Sequence, residues 1–115
     1  PAPDATNISV DANLVAVFSE TITAGTGTIT LWRDGGTEPV ESFDVSSSPR
    51  LTFSGQTLTI DPTANLATGR PYHILLDSDT IIDTSGGDAF TGISDPAAWR
   101  FTTAGIPISR ATIAE

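Results

Sequence analysis

The chain contains no cysteine and no lysine, and only one histidine, His73. Without cysteine there is no disulfide framework, no thiolate zinc site and no cysteine nucleophile, although the compartment stays open. One imidazole is too few for an ordinary zinc or copper centre. His73 is also the only imidazole base, and it lies in a strand-like run with no Gly-x-Ser-x-Gly elbow anywhere in the chain, so serine hydrolase chemistry is not expected. Basic charge is scarce: all five cationic residues are arginine, set against fourteen acidic residues, for a net charge of −9 and a pI near 4.1. No basic stripe exists to release counterions from a phosphate backbone, which excludes nucleic acid and argues equally against an anionic membrane surface. No apolar run reaches the roughly 18 to 20 residues of a spanning helix, so membrane insertion is not expected. A sustained 3.6-residue period is missing too. Thr63 to Thr68 (TANLAT), ended by Gly69, and Asp95-Pro96-Ala97-Ala98 allow at most one helical turn each. The chain starts at Pro1 with neither a start methionine nor a signal peptide, and we read it as a segment of something longer.

What the sequence has in abundance is a period of two. Gly27-Thr28-Ile29-Thr30-Leu31-Trp32-Arg33 alternates apolar with polar, as do Thr57 to Ile60, Tyr72 to Leu76 and Trp99 to Thr102. Threonine and β-branched residues, which suit half-buried pleated surfaces, are frequent. Turn clusters separate the runs: Asp34-Gly35-Gly36, Ser46-Ser47-Ser48-Pro49, Ser54-Gly55-Gln56, Asp61-Pro62 and Ser85-Gly86-Gly87-Asp88. Short strands at spacings of about 8 to 12 residues predict an antiparallel sandwich. Alternation assigns an inward set of Leu14, Ala16, Phe18, Ile29, Leu31, Phe43, Val45, Leu51, Phe53, Leu58, Ile60, Tyr72, Ile74, Leu76, Trp99 and Phe101. The same alternation turns His73 and Arg100 outward, with His73 expected to be an exposed strand residue. At this length one domain is expected; it spans residues 1–103, and Ala104 to Glu115 reads as a linker or the start of the next module.

Three chemistries can be asked of these residues. Asp83-Thr84-Ser85-Gly86 is close to the Asp-Thr-Gly turn of aspartic proteases, where two carboxylates share a proton. Here Ser85 stands where the glycine belongs, and Asp, Ser and Gly are ordinary turn formers. A protease would show peptidase activity lost in Asp83→Asn; none is expected. Calcium takes hard oxygen ligands, and Asp77, Asp79, Asp83 and Asp88 lie in two successive loops. Their spacing matches no EF-hand, and solvated turns explain them as well, so no cofactor is assigned and these four are the calcium candidates. Trp32 falls on the face opposite Ile29 and Leu31, which makes it the one candidate for binding a glycan or a protein.

The order and spacing of several segments resemble a bacterial Ig-like domain of the Big_5 or SbsA-like group. They are Pro3 to Val10 with Asn13-Leu14; Val17-Phe18-Ser19-Glu20; Gly27 to Leu31; Leu58 to Pro62; Leu66 through Gly69 to Tyr72; Asp83 to Ile93; and Trp99 to Thr103. Together they cover Pro1 to Thr103. The resemblance implies an all-β, immunoglobulin-like antiparallel β-sandwich with Greek-key connections and roughly seven or eight strands. Asp83 to Ile93 then corresponds to the family's Asp-x-x-Gly-Asn-x-Phe-x-Gly loop, with Gly87-Asp88 in place of Gly-Asn. Phe90 would plug the core and the glycines would supply positive φ. The family is architectural, with no catalytic residues to carry over, and recurs in S-layer proteins and adhesins. It implies a non-catalytic spacer or presentation module, extracellular or at the cell surface, and monomeric in isolation. Its partners would be the neighbouring domains of its own polypeptide. Adhesion to a glycan or surface protein, and an accessory place beside a catalytic domain, are the alternatives.

Overall fold

Ten short strands carry the chain in the computed structural model, which describes residues 4–84 and 86–105. They are β1 (Ala5–Ile8), β2 (Leu14–Val17), β3 (Ile22–Ala24), β4 (Thr28–Arg33), β5 (Glu41–Asp44), β6 (Leu51–Ser54), β7 (Thr57–Ile60), β8 (Pro71–Leu76), β9 (Ile81–Asp83) and β10 (Arg100–Thr103). A five-stranded sheet in the order β1-β10-β8-β4-β5 faces a three-stranded sheet in the order β2-β7-β6, and β3 and β9 pair as a separate ribbon. Connections alternate between the sheets, so consecutive strands pair directly only in the hairpins β4–β5 and β6–β7. The β6–β7 turn is two residues long. Its first position, Gly55, has φ +58°, which tight hairpins demand and glycine supplies without a Cβ clash.

The strand count exceeds the roughly seven or eight expected because two strand paths are broken. One path stops at Val17 and resumes at Ile22, and the Gly55-Gln56 turn bridges the gap. The carbonyl of Gln56 accepts from Phe18 at 2.8 Å and that of Gly55 from Ile22 at 2.9 Å. The other path stops at Leu76 and resumes at Ile81, after a turn that holds Asp79 at φ +72°. Neither expected helical turn is a helix. Thr63 to Thr68 is an irregular connector whose Leu66 is buried, while Asp95 to Ala98 forms a turn.

Period-two alternation places the core. Leu14, Ile29, Leu31, Leu58, Ile60, Ile74 and Phe101 are fully buried, with Phe43, Val45, Tyr72, Leu76 and Trp99 nearly so. They come from both sheets and form one cluster, the two-layer arrangement in which each sheet hides one face. Ala16, Phe18, Leu51 and Phe53 are packed against that cluster from its margin. The connector before β8 is clasped by polar side chains. Tyr72 accepts at its hydroxyl from the Ala67 amide at 2.8 Å, and Thr103 donates to the Ala67 carbonyl at 2.7 Å. Buried hydroxyls are therefore partnered, as the interior requires.

The pairing of β1 with β10 is parallel, with Ala5 opposite Phe101 and Ile8 opposite Thr103. Three steps along β1 match two along β10, and the extra residue is absorbed as a bulge with Asn7 at φ +61°. Asp4 donates to the Arg100 carbonyl at one end of the pair, and Ala104 donates to the Ile8 carbonyl at the other. The chain thus enters β1 at the pole where β10 begins and leaves β10 at the opposite pole. Of the expected linker 104–115, only Ala104 and Gly105 fall within the described residues.

Candidate functional site

Strand register assembles a group of side chains on the outer face of the large sheet. Trp32 of β4 and Arg100 of β10 are the direct neighbours of His73 of β8 on its two sides. The indole and imidazole planes are parallel within 6°, with ring centroids 6.0 Å apart. Asp34 follows β4 two residues beyond Trp32, so the pleat returns it to the same face. Its Oδ2 lies 2.7 Å from Arg100 Nε in an ion pair, and its Oδ1 is hydrogen-bonded to Nδ1 of His73. A carboxylate only accepts, so Nδ1 is the donor in this bond. Trp32 donates its Nε1 proton to Thr30 Oγ1 at 2.8 Å.

This corrects the expectation for His73. Its side chain does point away from the core, but it is only 7% exposed, because Trp32, Asp34 and Arg100 cover it. Trp32 itself is half-buried. An open hollow of about 750 Å³ lies over the group, and a second of about 530 Å³ meets it at Trp32 and Leu75. Asp34 was legible only as the start of a turn cluster. Alternation along β4 could have placed it beside Trp32, but linking it to His73 and Arg100 needs the pairing of three strands distant in sequence.

The four candidate aspartates divide into two pairs. Asp77 anchors the start of β4: its Oδ2 accepts from the Thr28 amide at 3.1 Å, and its own amide donates to the Thr28 carbonyl at 3.1 Å. The carbonyl of Asp79 accepts from the Thr26 amide at 2.9 Å. These residues secure a turn. Asp83 and Asp88 close the next loop, with the Asp83 amide donating to the Asp88 carbonyl at 2.8 Å and the Gly87 amide to the Asp83 carbonyl at 2.8 Å. Gly87 sits at φ +73°. Both carboxylates come close over Gly86: a Cβ there would lie 3.3 Å from Oδ2 of Asp88 and 3.8 Å from Oδ2 of Asp83. No group of three or more metal-ligating side chains occurs among the described residues. Phe90, beyond this loop, packs edge-on against Phe18 with ring centroids 5.5 Å apart and closes one margin of the core.

Two facing sheets, alternating connections and a parallel pairing of the first and last strands define an immunoglobulin-type β-sandwich. The chain belongs to the bacterial Ig-like domain family (Big_5), which matches it over residues 1–103. Members occur in bacterial surface proteins and are typically non-catalytic. Comparison with curated proteins and with solved structures gives no significant match. No helix of the described residues is long and apolar enough to cross a membrane.

Proposed function

We propose that the chain is a non-catalytic spacer or presentation module in a larger exported bacterial surface or secreted protein. The observation that supports this reading most directly is the parallel β1–β10 pair. With the chain entering at one pole and leaving at the other, copies or unlike modules joined in sequence extend in line. A tensile load on such an array runs along β1 and β10 and acts on their hydrogen bonds in shear, all together. The two-sheet core supplies stiffness, since close-packed interiors resist compression. The net charge of −9 keeps neighbouring copies apart by repulsion.

The test is solution scattering of two copies joined through residues 104–115. In-line joining predicts a maximum dimension close to twice that of one domain. A dimension near that of one domain, from modules folded side by side, would overturn the spacer reading and favour an accessory domain that packs on a neighbour.

A further inference from the structure

We propose that the outer-face hollow over Trp32, His73, Asp34 and Arg100 is a binding site for a neutral pyranose of a glycan chain. Four properties of the cluster point to that chemistry, and none is needed by a plain spacer.

The first is a fixed aromatic wall. Trp32 is held by its bond to Thr30 and by its stack on His73, so little side-chain freedom remains to be lost on binding. Its only donor is already satisfied, which leaves the indole offering apolar ring surface to a sugar's C–H groups.

The second is a donor beside an acceptor. Arg100 uses Nε on Asp34, and its side chain is 45% exposed. A guanidinium carries five N–H donors, and among the described residues its Nη groups meet no protein acceptor. The Asp34 carboxylate, hydrogen-bonded to His73 and ion-paired with Arg100, has lone pairs left. A guanidinium and a carboxylate side by side match the paired hydroxyls of a pyranose, each of which both donates and accepts.

The third is charge. The ion pair between Arg100 and Asp34 cancels locally, and the protein around it is strongly acidic. An anionic sugar would be repelled at long range; a neutral one would not.

The fourth is shape. Gly35, Gly36, Pro96 and Ala97 form a low rim, and the volume lies within the roughly 300–1,000 Å³ common for small-ligand sites. The second hollow, sharing Trp32 and Leu75, provides room for the next residue of the chain.

The experiment follows the two indole N–H resonances in ¹H–¹⁵N spectra, since the chain has only Trp32 and Trp99. Trp99 is 4% exposed and serves as the internal reference. The probes are the methyl glycosides of glucose, galactose, mannose and N-acetylglucosamine, with glucuronate as the anionic comparison. The expected result is a saturable shift of the Trp32 resonance with at least one neutral pyranose, at millimolar affinity, while Trp99 stays fixed. Arg100→Gln should weaken that binding at least tenfold. Ala97→Phe, on an exposed turn, should block it by filling the hollow without touching the cluster's hydrogen bonds. Three outcomes would overturn the proposal: no Trp32 shift with any pyranose at tens of millimolar, a shift that survives in Ala97→Phe, or tighter binding of glucuronate than of every neutral sugar.

Discussion

Glycine positions show how backbone and packing act separately at single residues. Gly25 has no positive φ, yet a Cβ there would lie 2.0 Å from the Asp79 carbonyl oxygen, which is part of the turn bonded to Thr26. Gly55 is the reverse case, with φ +58° and nothing within 4 Å. Gly25→Ala should therefore cost about 3 kcal/mol, the upper range of forced overpacking. Gly55→Ala should cost only the left-handed penalty of about 1 kcal/mol. Denaturant unfolding of both variants checks the order, and equal losses would contradict it. Asp44 gives a residue-scale test of charge. Its carboxylate accepts from the Ser46 hydroxyl at 2.7 Å and from the Ser46 amide at 2.9 Å. These bonds, the side-chain one first, hold its pKa below the usual aspartate range. Because the folded value is lowered, its stabilising contribution is complete above the unfolded pKa and disappears as pH falls through the folded one. In a carboxyl NMR titration, Ser46→Ala should raise the Asp44 midpoint; an unchanged midpoint would remove the hydroxyl as the cause. The aspartate loops make a third case. We expect the thermal midpoint in EDTA to stay unchanged on adding calcium at fixed ionic strength. A saturable, calcium-specific rise would instead place a cation between Asp83 and Asp88, the pair that converges over Gly86.

Among the elements, edge strand β2 is the least protected. It lies at the border of the three-stranded sheet, and its Val15 and Val17 are 38% and 73% exposed. Unpaired backbone next to apolar side chains invites strand addition. Val17→Lys should leave stability within about 0.5 kcal/mol while reducing light scattering at high protein concentration. A large stability loss would mean that Val17 packs in a way its exposure does not suggest. The strands that sequence made most legible were those with a plain apolar–polar alternation: β4, β7, β8 and β10 each show the apolar face that is buried. β3 and β9, with three residues each, are too short to carry a period, and only their mutual pairing makes them strands. The burial of His73 was hidden for a related reason. Alternation correctly turned it outward, but what covers it comes from β4 and β10, and pairing between distant strands leaves no trace in local pattern. Phe90 was legible through family resemblance rather than periodicity, since its loop has none.

At the scale of the molecule, the proposed spacer role depends on where the chain enters and leaves. The bulge at Asn7 keeps β1 in register with β10 across both ends of the pair, from the Asp4–Arg100 bond to the Ile8–Ala104 bond. Force applied through the two termini must break these bonds together. Force applied at one pole alone would open them one at a time, and a sequential opening yields at lower load. The absence of cysteine makes this comparison practical, because single introduced cysteines are unique attachment points. The decisive measurement is single-molecule unfolding in two pulling directions: through the two termini, and between the N-terminus and a cysteine at Ala97, which precedes β10 at the same pole. A load-bearing spacer predicts one cooperative rupture in the first direction, at a clearly higher force than in the second. Equal forces, or a weaker rupture through the termini, would contradict the spacer role.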